Sequence, residues 1–156
     1  MPDVRPQPPA NAGVAAYLEW DHRRLDAIFV EVQQSVRKSE WPHAVERFKL
    51  FRQGLRRHID VEEGILFPVF EAKTGMRDVG PTAVMRAEHR EILSLMAEID
   101  SALENQRAEL MEDAAAALLD VLGGHNRKEE GILYPMCDAA MDEQERERMV
   151  ARMQET

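Results

Sequence analysis

The chain repeats itself at an offset of 67 residues. HIDVEEGILFP, beginning at His58, is matched by HNRKEEGILYP, beginning at His125, and eight of the eleven aligned positions are identical or exchange Phe for Tyr. The same offset carries His22 onto His89, Glu62 onto Glu129 and Pro68 onto Pro135. Such a duplication constrains the fold strongly. Each copy must form the same local structure, and the two copies must pack together about a pseudo-twofold axis. That local structure is helical, because Ala, Leu, Met, Glu and Arg dominate and period-two alternation is scarce.

Breakers divide the repeat into four long segments. The first runs from about Ala15 to Arg37. Trp41-Pro42 opens the second, with Pro42 suited to the first helical position, and Lys73-Thr74-Gly75 ends it. Gly80-Pro81 opens the third, which runs to about Leu103, and the fourth ends near Cys137. Asp142, with Glu145 three residues on, predicts the N-cap of a short final helix. Every long segment carries a seam at spacings of three and four. It reads Leu18, His22, Leu25, Phe29, Val32, Val36 in the first and Phe51, Leu55, His58, Glu62, Ile65, Val69 in the second. The third has Met85, His89, Ile92, Met96, Ile99, Leu103, and the fourth Leu118, Leu122, His125, Glu129, Ile132, Met136. Such stripes face the core of an antiparallel bundle, and short links favour neighbouring helices. The expectation is an all-α fold. A proline-rich disordered tail over 1–13 precedes an up-down-up-down four-helix bundle of two repeated hairpins over 14–139, and a short C-terminal fifth helix occupies 140–156.

The polar members of the seam fall at one height. In an antiparallel hairpin, residues equidistant from the turn are level. His22 and His58 are centred on residue 40, His58 and His89 on 73.5, and His89 and His125 on 107, each at or beside a predicted turn. Glu62 and Glu129 stand at i+4 from His58 and His125, turned by only about 40° from them. Four imidazoles and two carboxylates thus share one buried layer, where unpaired charge costs several kcal/mol. A pair of divalent cations resolves this, and imidazole with carboxylate, without thiolate, suits iron, manganese or zinc. The expected ligands are His22 and His58 for one metal and His89 and His125 for the other, with Glu62 and Glu129 bridging.

Other polar residues separate from this set. His43 precedes His58 by 15 residues, roughly 22 Å along a helix, and reads as exposed. Glu63 and Glu130, at i+5, are turned by about 140° off the seam and read as exposed, or as carboxylates that orient a ligand imidazole. Gly64 and Gly131 each lie four residues before a proline, where a glycine relaxes the carbonyl that proline leaves without a donor. The expectation there is a kink beyond the metal layer. Cys137, the only cysteine, excludes an internal disulfide and reads as a packing residue. The net charge of −9 argues against binding nucleic acid through phosphates. No apolar run approaches the roughly 18 residues of a membrane span. The opening MPDVRPQPPANAG holds no apolar stretch suited to a secretory signal, so the cytoplasm is expected.

These residues resemble the hemerythrin-type HHE cation-binding domains. The match consists of His22, His58-x-x-x-Glu62, Glu88-His89 and His125-x-x-x-Glu129, over about residues 15 to 138. The resemblance implies a non-haem di-iron centre that meets O₂, NO or peroxide. Oxygen-carrying members have a fifth histidine, in an HxxxH pair on the third helix, and end on HxxxxD. Here Met85 and Leu93 flank His89 at four residues, and Glu130 stands at the final position, with Glu129 better placed. Open positions on both metals would favour sensing, iron handling or weak oxidase or peroxidase activity over reversible O₂ carriage. Three readings result: a di-iron protein that binds or senses a small ligand or stores iron, a di-iron peroxidase or oxidase, and a structural or regulatory bundle that binds zinc incidentally. The wholly apolar seam beyond His89 favours binding over catalysis.

Overall fold

The boundaries of the helices follow from a few local signals. In the computed structural model, which describes residues 7–10 and 13–156, α1 spans Val14–Arg37. Helix α2 runs over Trp41–Val61, passes through a π turn at Glu62–Leu66 and continues over Phe67–Thr74. Helix α3 spans Pro81–Glu104. Helix α4 copies α2, with Ala108–Lys128, a π turn at Glu129–Leu133 and Tyr134–Ala140. Helix α5 spans Glu143–Gln154. Pro42 and Pro81 sit in first turns, where their missing N–H costs nothing. Gly75, at φ 74°, ends α2 in the left-handed conformation. Asp142 caps α5 by accepting from the Glu145 N–H at 2.8 Å, as its spacing predicts. The tail expected over 1–13 falls largely outside the described residues.

The duplication extends to the turns. Ser39 and Gln106, 67 apart, both take positive φ, at 57° and 51°. The Glu40 N–H donates to the Ser35 carbonyl and the Arg107 N–H to the Ala102 carbonyl, both at 2.9 Å. It also joins the hairpins. Asp138, near the end of α4, accepts from the first N–H groups of α1, at 2.9 Å from Val14 and 3.0 Å from Ala15. Its repeat mate Glu71 ties down the start of α3 through side chains instead, accepting from the Thr82 hydroxyl at 2.8 Å and Arg86 at 3.1 Å. Carboxylates at helix N-termini also meet the positive end of the helix dipole.

The four long helices form the expected up-down-up-down bundle. Its apolar core is in two parts. One lies toward the turns at 38–40 and 105–107 and is built from residues such as Phe29, Phe48, Phe51, Ile92 and Met96. The other lies toward the opposite end, where Phe67, Phe70, Tyr134 and Cys137 meet Met149 and Met153 of α5. The histidine layer separates the two. Among the described residues, no helix is long and apolar enough to cross a membrane.

The predicted seams hold without exception in α1 and α3 but slip in the last turns of α2 and α4. In α4 the expected core residues Ile132 and Met136 are 56% and 37% exposed, while Leu133, Tyr134 and Cys137 are buried. In α2 the core takes Leu66, Phe67 and Phe70 instead of Ile65 and Val69. The π turns explain the slip. Each admits one extra residue, so the Phe67 N–H bonds the Glu62 carbonyl and the Tyr134 N–H bonds that of Glu129. The kink expected at Gly64 and Gly131 takes this form. A side chain at either glycine would meet nothing, so these glycines do not serve close packing.

Candidate metal centre

The π turns begin at the two seam glutamates and end just before the aromatic pair Phe67 and Tyr134. Their effect is to keep Glu62 and Glu129 on the histidine face while rotating the following aromatic rings into the same layer. Both glutamates are 0% exposed, and His22, His58, His89 and His125 are 5% exposed or less.

The six side chains converge. His22 and His58 have ring centroids 4.7 Å apart, and His89 and His125 4.9 Å apart, so the histidines pair as the sequence predicts. Each glutamate reaches one histidine of each pair. Glu129 Oε1 lies 3.2 Å from His22 Nε2 and 3.1 Å from His125 Nε2. Glu62 Oε1 lies 3.3 Å from His58 Nε2 and 3.4 Å from His89 Nε2. Glu62, His89, His125 and Glu129 can bring one ligand atom each into a cluster within 4.8 Å, and so can His22, His58 and Glu129. Several of these close atoms are not aligned as hydrogen bonds. Glu62 Oε1, both Glu129 oxygens and both His89 nitrogens are buried without a partner. Buried polar atoms left unsatisfied are costly, and here all but His89 Nδ1 face one small volume. A cation at each cluster fits this donor set.

Behind every imidazole stands a carboxylate facing its Nδ1. Asp21 lies 2.9 Å from His58, Glu88 3.0 Å from His125, Glu130 3.5 Å from His22 and Glu63 3.7 Å from His89. Asp21, Glu88 and Glu130 can only accept here, so Nδ1 of His58, His125 and His22 favours keeping its proton, with Nε2 turned inward. Burial raises the Asp21 carboxyl, but His58 and Arg24 outweigh it and hold the pKa at about 2. Glu88 is likewise lowered, against its own burial, by Lys128 and His125.

The layer is electrostatically loaded. Burial and the charge of Glu129 push the Glu62 carboxyl up. Burial works the same way on Glu129, yet the close approach of Glu62, His125 and His22 holds it well below the usual range. His125 is pulled down by burial but held up at about 9, first by Glu129 and then by Glu62 and Glu88. A cation bound by His125 would displace the proton held there.

One residue breaks the local symmetry. The Tyr134 hydroxyl donates to Glu62 Oε2 at 3.0 Å and lies 3.2 Å from His22 Nε2 and 3.3 Å from His58 Nε2. Its repeat mate Phe67 stacks on His89 at 6.0 Å and 5°, with no polar atom to offer. The His22/His58 side therefore has an extra oxygen, while the His89/His125 side has both glutamates.

All six residues expected as ligands come together. His43 stays outside, exposed and 2.6 Å from the Ser35 hydroxyl. Glu130 comes within 3.5 Å of His22 Nδ1, whereas Glu63 stays 3.7 Å from His89 Nδ1, beyond hydrogen-bond reach. Asp21 and Tyr134 escape sequence reasoning as site residues, as does the orienting role of Glu88. The offset held a signal for the two acids, since Asp21 and Glu88 are repeat mates that each precede a site histidine.

A family model described as the hemerythrin HHE cation-binding domain matches residues 14–137. No curated protein and no solved structure matches the chain.

Proposed function

The chain belongs to the hemerythrin HHE cation-binding family, and on that premise we propose that it holds two non-haem iron ions and uses them to bind or sense a small ligand, O₂, NO or peroxide, or to handle iron. The observation that carries this reading is the double donor set, with four inward Nε2 atoms, two shared glutamates and a carboxylate behind every ring. His22 and His58 would hold one ion and His89 and His125 the other, with Glu129 and Glu62 shared between them. Bound iron supplies open coordination positions and reversible electron transfer. The chain's own residues do the rest. Asp21 and Glu88 fix the imidazoles of His58 and His125, and Glu130 and Glu63 face those of His22 and His89. The apolar clusters on either side keep bulk water out of the layer. The space beside the layer is about 10 Å³, room for roughly one water, which suits a ligand of a few atoms. A single, buried cysteine suits a reducing cytoplasm.

A peroxidase or oxidase is the second reading, and Tyr134 favours it. A buried hydroxyl 3.0 to 3.3 Å from three candidate ligand atoms holds a proton beside the centre, where it would be available to a substrate. Anaerobic loading with Fe(II), followed by O₂ and removal of O₂ under vacuum, tests the choice. The binding and sensing reading expects no stable oxygenated spectrum that reverses under vacuum, and such a spectrum would make the protein a carrier. Sustained peroxide turnover in stopped flow would establish the enzyme.

A further inference from the structure

The small cavity beside the histidine layer has an asymmetric wall. The four histidines and both glutamates form one side of it, and apolar core residues form the rest. Nearly every wall residue has its repeat mate in the wall as well. Only Asp26 and Phe51 lack one, and two polar positions, Asp26 and Asn126, stand apart. Asp26 lines the cavity, whereas its repeat mate Leu93 packs against the core instead. Asn126 lines it too, and its repeat mate in the wall is Ile59, which is 3% exposed. Asp26 is exposed and Asn126 half-buried, while all the other wall residues are buried. The only polar, solvent-reaching stretch of the wall therefore lies between α1 and α4. The corresponding stretch between α2 and α3 is built of Ile59 and Leu93.

We infer that hydrated divalent cations enter the metal centre between α1 and α4, past Asp26 and Asn126, and that the equivalent passage between α2 and α3 is shut. This rests on the two-metal reading above. The chemistry suits an incoming cation. The Asp26 carboxylate lies one helical turn from His22, whose Nδ1 is 3.5 Å from Glu130, so two acidic side chains flank His22 at the mouth and attract positive ions. The Asn126 side-chain oxygen, beside His125 in the chain, can replace a water of hydration as the ion moves inward. The cavity holds about one water, so ions pass singly and with side-chain movement at the exposed edge.

The test is the rate at which the full-length apoprotein takes up Co(II), followed by the change in its visible spectrum in stopped flow. The double variant Asp26→Leu/Asn126→Ile copies the closed side. It should load roughly tenfold more slowly, the scale of electrostatic steering into a cleft, and still bind two ions at equilibrium. Adding Leu93→Asp and Ile59→Asn to that variant should restore fast loading through the other side. Asp26→Asn alone, a mild change at an exposed position, should slow loading at low salt and flatten its salt dependence. Loading at the wild-type rate in both closed and Asp26→Asn variants would overturn the passage and leave the two-metal reading intact. Fewer than two ions bound by the closed variant would also overturn it, by making these residues part of binding. A wild-type chain that takes up no Co(II) would overturn both.

Discussion

The two hairpins carry the same site and differ in what surrounds it. Each supplies two histidines, one shared glutamate, two carboxylates behind imidazoles and one π turn, all at the offset of 67. The paired rings are spaced almost identically, at 4.7 and 4.9 Å. Around them the copies part. Tyr134 puts a hydroxyl against the His22/His58 pair, where Phe67 lays a bare ring on His89. Asp26 and Asn126 stand where the other side has Leu93 and Ile59. The two copies keep the six inward donors alike and differ in the polar side chains beside them. On the two-metal reading, those differing residues would decide what reaches each cation and what protons are at hand.

The comparison can be broken most severely at the shared carboxylates. Glu129 belongs to both clusters, whereas His58 belongs to one. Glu129→Ala should therefore lose most of both metals, and His58→Ala should retain at most one, as measured by metal content after dialysis. Tyr134→Phe makes the two sides alike. It should keep two ions per chain, bring the two binding steps together in calorimetry, and cost the metal-free protein about 1 kcal/mol for the lost hydrogen bond.

Protonation gives a third test. His125 has a pKa of about 9 in the folded state against an ordinary 6.5. A raised pKa stabilises fully below 6.5, and that stabilisation is lost as pH rises toward 9. The melting temperature of the metal-free protein should therefore fall across this interval, and metal should flatten the fall by taking the proton's place. Metal affinity should rise over the same interval, because binding displaces that proton. The smallest effect belongs to the turns. Ser39→Gly and Gln106→Gly relieve left-handed residues at equivalent positions, and each should stabilise by up to about 1 kcal/mol in denaturant melts.

Much of this was legible in the sequence. Three- and four-residue spacing gave the helices, the offset gave the hairpins, and the midpoints gave the level of the histidines. Part of what stayed hidden has its cause in the π turns. A rigid helical template of about 3.6 residues per turn places Ile132 and Met136 in the core, but the extra residue turns them out and brings Tyr134 in. Pro68 and Pro135 marked the place without revealing its form. Tyr134 itself was masked because a Phe-to-Tyr exchange within a repeat looks conservative, yet here it sets a hydroxyl among three ligand atoms. Asp21 was hidden because its role depends on a histidine 37 residues away on another helix.

The central claim is that four histidines and two glutamates hold a pair of iron ions. It is tested most directly by elemental analysis of the chain expressed in iron-replete medium, with its visible spectrum. The account predicts two irons per chain, falling to one or none in His58→Ala. A chain that carries no iron, or that keeps two irons in both His58→Ala and Glu129→Ala, would contradict it.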